Sequence, residues 1–282
     1  MRLATALRLG RVAYVPTIAS NVLAAIALAG ARPAPATLAL ACFALATMYV
    51  AGMFLNDAFD RDHDRAHRPE RPIPAGEAHA AVVFDAGFAL LLGGIAAVAI
   101  AALAAGAGWK PVLSAVALGS LIVFYDAYHR EVRYAPVVMG LCRAGVYMTA
   151  GLLVRPDVCP ALAAGAVLLA VYLAGCAYAA RAANLVDLEN LWPLALIAAP
   201  FLVARPHDTF SLAIYTAFLL WAVRGVSLLR ARRLPEGVRV LVAGISLLDA
   251  LACANLGRIE LALPAVASFG VTALLVRLAP PT

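Results

Sequence analysis

Charged side chains are scarce in this chain. Of its 282 residues only 13% are Asp, Glu, Lys or Arg and 64% are hydrophobic, whereas a soluble globular domain carries about 25% charged residues. The mean hydropathy is +0.90, and the polar segments between apolar runs are too short to form a separate soluble domain. The composition excludes an ordinary soluble protein. It predicts an all-α, polytopic membrane protein with a single domain over residues 1–282.

Cysteine motifs are also missing. No two of the five cysteines have the CxxC spacing, and each lies in or beside an apolar run: Cys42, Cys142, Cys159, Cys176 and Cys253. This pattern excludes a disulfide framework and a zinc site, and it predicts small apolar packing residues.

Apolar runs long enough to cross a bilayer, about 17–25 residues, divide the chain into about nine spans. They lie at 12–30, 37–56, 80–105, 111–127, 135–154, 160–181, 191–204, 209–229 and 238–256. The seventh run is short and contains Pro193 and Pro200. A last stretch, 261–277, is either a short tenth span or an interfacial segment. Because the first run is long enough to span, we expect no cleavable signal peptide.

Arginine is distributed unevenly between the two ends of these spans. If the N-terminus is cytoplasmic, the outer end has only Arg32, Lys110, Arg155, Arg205 and Arg258. The positive-inside rule then places the loop at 56–76 in the cytoplasm, and we expect the bacterial inner membrane as the location. The net charge of +6 reflects this topology and contact with anionic membrane lipid. Nucleic acid is not expected as a partner, because no soluble basic domain exists to bind it.

The end of the second run concentrates oxygen ligands. It holds four carboxylates and one amide: Asn56, Asp57, Asp60, Asp62 and Asp64. In a helix Asn56, Asp60 and Asp64 stack at i, i+4 and i+8, with Asp57 beside Asp60, while Asp62 points away into solvent. Carboxylates this close repel one another, so a cation is expected among them. Mg²⁺ fits, since it is typically held by a few carboxylates together with substrate phosphates. The alternative is a solvated loop.

A basic, proline-rich segment follows directly. Residues 68–76 read RPERPIPAG and include Arg68 and Arg71. Arginine binds phosphate oxygens in a bidentate manner, so these two side chains are predicted to contact a diphosphate. The alternative is that they only anchor the topology.

At this point the chain resembles the UbiA superfamily of intramembrane prenyltransferases. Residues 56–64 match its NDxxDxxxD pattern at every fixed position, and residues 68–76 look like its RPxxxG continuation. Arg11, the pair Pro16-Thr17 and Asn21 resemble the first-helix signature. The resemblance covers nearly the whole chain in the number and order of spans.

The resemblance implies a UbiA-like helical bundle with a cavity on the cytoplasmic side and Mg²⁺ as cofactor. The implied reaction joins a polyprenyl diphosphate to an aromatic or other lipophilic acceptor through an allylic cation. The implied first metal site is Asn56, Asp57, Asp60 and Asp64, in which Asp60 and Asp64 are catalytic. Arg68 is expected to bind the leaving group, with help from Arg71 and Arg130.

The second half of the site departs from the family pattern. UbiA-type enzymes carry DxxxD between the sixth and seventh spans, and here the loop offers only Asn184, Asp187, Glu189 and Asn190. We expect Asp187 to act as a catalytic metal ligand, with Asn184 on the same helical face at i−3. The second metal is otherwise weak or absent.

The end of the fourth run also differs from the family's YxxxK. It has Tyr125 followed by His129 and Arg130, and we expect Tyr125 and Arg130 to contact substrate. Together with the stretch 136–145, this looks like the UbiA-like proteins of bacterial and algal ebo gene clusters. Precursor transport or lipid modification has been suggested for that branch.

Two of the polar residues within apolar runs are candidate site residues. Arg143 must face the bundle interior, because a charge at the bilayer centre costs roughly 3 kcal/mol or more. It either contacts substrate or pairs structurally with Asp126 or Asp249. Asn21 either contacts the acceptor or forms a helix–helix hydrogen bond.

Two rival functions remain open. A non-catalytic carrier of a lipid or hydrophobic precursor is favoured by the missing DxxxD. A secondary transporter is disfavoured, because the sequence shows no paired repeat with matching broken helices.

Overall fold

The structure is a computed structural model that describes residues 1–181, 185 and 190–278. Within these residues the regular secondary structure is entirely helical, as predicted. Asn184, Asp187 and Glu189 lie outside the described residues.

The described chain forms thirteen α-helices. They are α1 Leu3–Leu9, α2 Val15–Leu28, α3 Pro35–Phe59, α4 Arg61–His67, α5 Ala80–Ala105, α6 Lys110–Tyr128, α7 Ala135–Val154, α8 Pro160–Arg181, α9 Trp192–Val203, α10 Thr209–Arg230, α11 Leu234–Ala243, α12 Ile245–Asn255 and α13 Ile259–Leu278. Proline occupies the first turn of seven of them. There it costs no hydrogen bond, because the first amide groups of a helix have no partner within the helix.

Eight helical segments in the described residues are long and apolar enough to cross a membrane, with α11 and α12 counted together as one, or nine if the bent pair α1–α2 also counts as one span. The prediction of about nine spans is confirmed, and the chain is an integral membrane protein. The seventh predicted run is α9, whose twelve residues extend about 18 Å, less than a bilayer core of about 30 Å. The last stretch is a full helix of twenty residues, α13.

The bend between α1 and α2 is sharp. The two segments meet at 57°, and Arg11 at the bend has φ 41° and ψ 45°. A non-glycine residue in this left-handed region is unfavourable by roughly 1–2 kcal/mol. The bend turns the Arg11 side chain toward α3, as its contacts show.

Glycines let the neighbouring helices approach α3. A Cβ added at Gly87 or Gly94 of α5 would lie 2.8 Å from Leu55 or 2.5 Å from Met48, both on α3. On the α6 side, a Cβ at Gly52 would lie 3.0 Å from Ile122. Small residues at helix contacts are the usual means of close packing in membranes. The acidic segment at the end of α3 is therefore held tightly by α5 and α6.

Candidate functional site

The acidic segment lies where α3 passes into α4. Helical hydrogen bonds continue across the junction, from the Asp60 amide to the Asn56 carbonyl and from the Asp64 amide to the Asp60 carbonyl. The polar side chains are almost fully enclosed, with exposures of 8% for Asn56, 2% for Asp57, 6% for Asp60 and 1% for Asp64. The side chain of Asp62 is 70% exposed. We call the four enclosed residues and the cations around them the acidic cluster.

Arg71 connects two of the carboxylates. Its Nη1 donates to Asp64 Oδ2 at 2.7 Å and to Asp57 Oδ1 at 3.3 Å. Its side chain is 6% exposed, and the turn between α4 and α5 carries it back over the acidic segment. Arg71 thus neutralises carboxylates that would otherwise repel each other.

Arg11, at the bend between α1 and α2, supplies a second cation. Its Nη2 donates to Asp57 Oδ1 at 2.9 Å and to Asn56 Oδ1 at 3.3 Å. The sequence singled out Arg11 only as part of a first-helix signature. The 45 or more residues between the partners give no local sign of the contact.

Arg130 is the third cation. Its Nε donates to Asp60 Oδ1 at 2.6 Å, and this hydrogen bond raises the pKa of Arg130 above its usual value. The neighbouring His129 has Nε2 3.7 Å from Asp60 Oδ2. Burial lowers the pKa of His129, which favours the neutral ring near neutral pH. Arg130 is therefore the principal counter-charge of Asp60.

Asp126 is a further carboxylate at this end of the bundle. It lies in the last turn of α6 and is 4% exposed. Its Oδ1 accepts a hydrogen bond from Asn56 Nδ2 at 3.3 Å. Sequence reasoning considered Asp126 only as a partner for Arg143. Its position at the mouth of an apolar run was the available signal, because ionisable residues at such sites are usually functional.

Two carboxylate oxygens of the acidic cluster and one of the neighbouring Asp126 are available to bind a cation. Asp57 Oδ2, Asp64 Oδ1 and Asp126 Oδ2 are enclosed and have no hydrogen-bond partner in the described chain. Such atoms are unfavourable unless a further partner satisfies them. In the described residues no group of three His, Cys, Asp or Glu side chains already converges as a metal site, since each carboxylate of the α3–α4 segment is turned toward an arginine. The donor set nonetheless fits Mg²⁺, which prefers carboxylate and amide oxygens.

The remaining predicted site residues are distributed as follows. Arg68 is exposed, and Tyr125 stacks on the His129 ring with 5.1 Å between centroids. The Tyr125 hydroxyl donates to Met139 Sδ at 3.7 Å. Asn184 and Asp187 lie outside the described residues.

A second polar cluster lies deeper, where α2, α7 and α12 meet. Asp249 is fully buried and accepts hydrogen bonds from Ser20 at 2.5 Å, Asn21 at 2.8 Å and Tyr147 at 2.5 Å. These partners could not be identified from the sequence, because the first two lie more than 220 residues away.

Arg143 completes this cluster. Its Nη1 donates to Asn21 Oδ1 at 2.8 Å and to Thr17 Oγ1 at 3.1 Å, so the Asn21 amide joins the arginine to Asp249. The guanidinium lies 5.4 Å from the centroid of the Tyr49 ring. The Nε and Nη2 atoms donate to nothing in the described residues and are not among the enclosed unpaired atoms. This edge of the guanidinium therefore has no hydrogen-bond partner in the described residues.

Tyr49 links the two clusters. Its hydroxyl lies 3.5 Å from the Arg11 carbonyl, and its ring faces Arg143. Tyr49 precedes Asn56 by seven residues on α3, about 10 Å along the helix axis. The two clusters therefore lie about two helical turns apart along α3.

Comparisons with protein families and solved structures show what this chain is similar to. The model of the UbiA prenyltransferase family matches residues 14–252. A solved structure from work on digeranylgeranylglyceryl phosphate synthase in membranes is 18% identical, with a TM-score of 0.53 and coverage of 98% of this chain and 96% of its own. The apo structure of a UbiA homologue from Aeropyrum pernix K1 is 15% identical, with a TM-score of 0.52 and coverage of 93% and 97%. At these identities the structures show a common fold. No curated protein sequence matches the chain.

The Arg71 contacts predict a large loss of stability on removing the charge. Arg71→Gln leaves Asp64 without its only described cationic partner, and breaking a buried pair in this way costs about 3–5 kcal/mol. Arg65→Gln is the control, because Arg65 is 73% exposed and pairs with an exposed Asp62. It should change stability by about 0.5 kcal/mol or less. Thermal unfolding in detergent measures both, and equal midpoints would contradict the proposed neutralising role.

Proposed function

Because the chain belongs to the UbiA prenyltransferase family, we propose that it transfers the prenyl group of a polyprenyl diphosphate to an aromatic or other lipophilic acceptor. The observation that carries this proposal is the acidic cluster, in which buried carboxylates and arginines share one end of a membrane bundle. Such a set suits a diphosphate and its cation, since carboxylates hold the cation while guanidinium groups hold phosphate oxygens.

Mg²⁺ would be held by the oxygens of Asn56, Asp57, Asp60 and Asp64. The enclosed, unpaired Asp57 Oδ2 and Asp64 Oδ1 support this assignment. When bound, Mg²⁺ would supply positive charge to the diphosphate and Lewis-acid assistance to its departure. Asp187 and Asn184 remain predicted ligands of a second cation.

The arginines would bind the diphosphate. Arg71 and Arg130 donate to the Asp residues that are predicted to hold the cation, so they stand next to the place where the leaving group would lie. The exposed Arg68 would add a contact from the solvent side. Holding the diphosphate stabilises the negative charge that develops as it leaves.

The interior of the bundle would then protect the reacting prenyl group. The bond between its C1 atom and the diphosphate oxygen breaks, and the diphosphate keeps the electron pair. The acceptor attacks the allylic cation and loses a proton. Below the acidic cluster the buried core of the bundle is apolar. Water excluded in this way cannot capture the cation.

Release of pyrophosphate tests the reaction. Purified protein with Mg²⁺ and prenyl diphosphates of defined length should release it in the presence of a suitable acceptor. Asp64→Ala should reduce release to background, because Asp64 is predicted to hold the cation, whereas Asp62→Ala should keep it, because Asp62 is exposed.

A second candidate function is a carrier that binds a lipid or hydrophobic precursor without turnover. The loop at 184–190 lacks DxxxD, and the resemblance to ebo-type proteins favours the same reading. Wild-type protein that binds a prenyl diphosphate analogue but releases no pyrophosphate with several acceptor classes would establish the carrier and reject the transferase. Asp187→Asn distinguishes the two further: it should abolish transfer but leave binding by a carrier nearly intact.

The deeper cluster is the proposed contact for the acceptor. Arg143 offers this edge to a carbonyl or anionic oxygen, and the Asn21 amide holds the guanidinium in place. Arg143→Gln should raise the KM for whichever acceptor supports transfer by about tenfold or more, the effect of losing a charged hydrogen bond of about 1.5–3 kcal/mol. Binding of the prenyl diphosphate should not change. A KM unaffected by the substitution would contradict this role.

We propose that the protein resides in the bacterial inner membrane with the acidic cluster on the cytoplasmic side, which the arginine bias supports. Ala75→Cys, placed at an exposed position in a variant without native cysteines, reports the orientation. In intact cells an impermeant thiol reagent should fail to modify it until the membrane is opened. Ready modification from outside would reverse the orientation.

A further inference from the structure

We infer that Asp126 is a positioning residue that turns the Asn56 amide so that its oxygen faces the cation site. The inference rests on the proposed cation site, and it concerns a carboxylate outside both acidic motifs. Its basis is the hydrogen bond from Asn56 Nδ2 to Asp126 Oδ1, together with the burial of both side chains.

The side-chain amide of Asn can bind a cation through its oxygen but not through its NH₂ group. The side-chain oxygen of Asn accepts hydrogen bonds and ligates cations, whereas its NH₂ group only donates. If Asn56 were turned over, its NH₂ group would face the acidic cluster and repel any cation. The orientation of Asn56 therefore decides whether it can be a ligand.

The two neighbours of Asn56 fix that orientation from opposite sides. Asp126 Oδ1 accepts from the NH₂ group of Asn56, and Arg11, which can only donate, bonds the Asn56 oxygen. The observed contacts are of this kind, both at 3.3 Å. Chemical character alone thus excludes the reversed amide.

The packing of α6 on α3 sets the register of this contact. Gly52 and Asn56 are one turn apart on α3, as Ile122 and Asp126 are on α6. A Cβ at Gly52 would lie 3.0 Å from Ile122, so the glycine admits the isoleucine and brings the next turn within hydrogen-bonding reach. Asp126 is held in place by packing as well as by its hydrogen bond.

Binding of Mn²⁺, followed by electron paramagnetic resonance on purified protein with pyrophosphate, tests the inference without turnover. Asp126→Ala should weaken Mn²⁺ binding about tenfold or more, the usual effect of removing a partner that orients a metal ligand. Adding Asn56→Asp to that variant should restore most of the affinity, because a carboxylate presents an oxygen in either orientation.

Two other outcomes would reject the positioning role. If Asn56→Asp gives no rescue, Asp126 is itself a ligand and the positioning role is wrong. If Asp126→Ala lowers the unfolding temperature but leaves Mn²⁺ affinity unchanged, its role is purely structural. Should Asp126→Ala not fold, Asp126→Asn keeps the volume, removes the fixed acceptor and undergoes the same rescue.

The proposed cation site can fail separately. Wild-type protein that binds no Mn²⁺ with pyrophosphate would overturn both that site and this inference. Wild-type binding that neither Asp126 variant alters would overturn the inference alone and leave the cation site in place.

Discussion

A carboxylate removed from water must meet a cation or hydrogen-bond donors, and this requirement organises one end of the bundle. Asp57, Asp60 and Asp64 are buried together, and each contacts an arginine from outside the α3–α4 segment. The bend after α1, the turn after α4 and the end of α6 each deliver one of these arginines. The unfavourable backbone of Arg11 is best understood in this way, since strain persists where surrounding contacts determine it.

The same polar arrangement occurs at two depths. In the acidic cluster Asn56 stands between Arg11 and Asp126, and in the deeper cluster Asn21 stands between Arg143 and Asp249. In both, an amide bonds a cation through its oxygen and an anion through its nitrogen. Each amide thus stands between an arginine and an aspartate that form no salt bridge with each other in the described residues.

Local patterns made the fold predictable and selected half of the candidate site. Apolar runs predicted about nine spans, which the structure confirms, and the spacing from Asn56 to Asp64 placed candidate oxygen ligands on one helical face. The partners of those residues were not predictable, because they depend on helix packing. Asp126 approaches Asn56 one turn from the place where Ile122 packs against Gly52, and a sequence of scattered glycines does not reveal which helix each one faces. The partners of Asp249 were missed for the same reason.

The mutual pairing of carboxylates and arginines has a thermodynamic consequence. Without substrate, these groups serve as each other's ligands, so a divalent cation added alone meets carboxylates that are already neutralised. An anion added alone must draw arginines away and leave the carboxylates repelling one another. Each ligand removes the obstacle to the other, and by linkage the enhancement is equal in both directions. On the proposed function, cation and diphosphate would therefore enter as a cooperative pair, and the empty protein would retain neither.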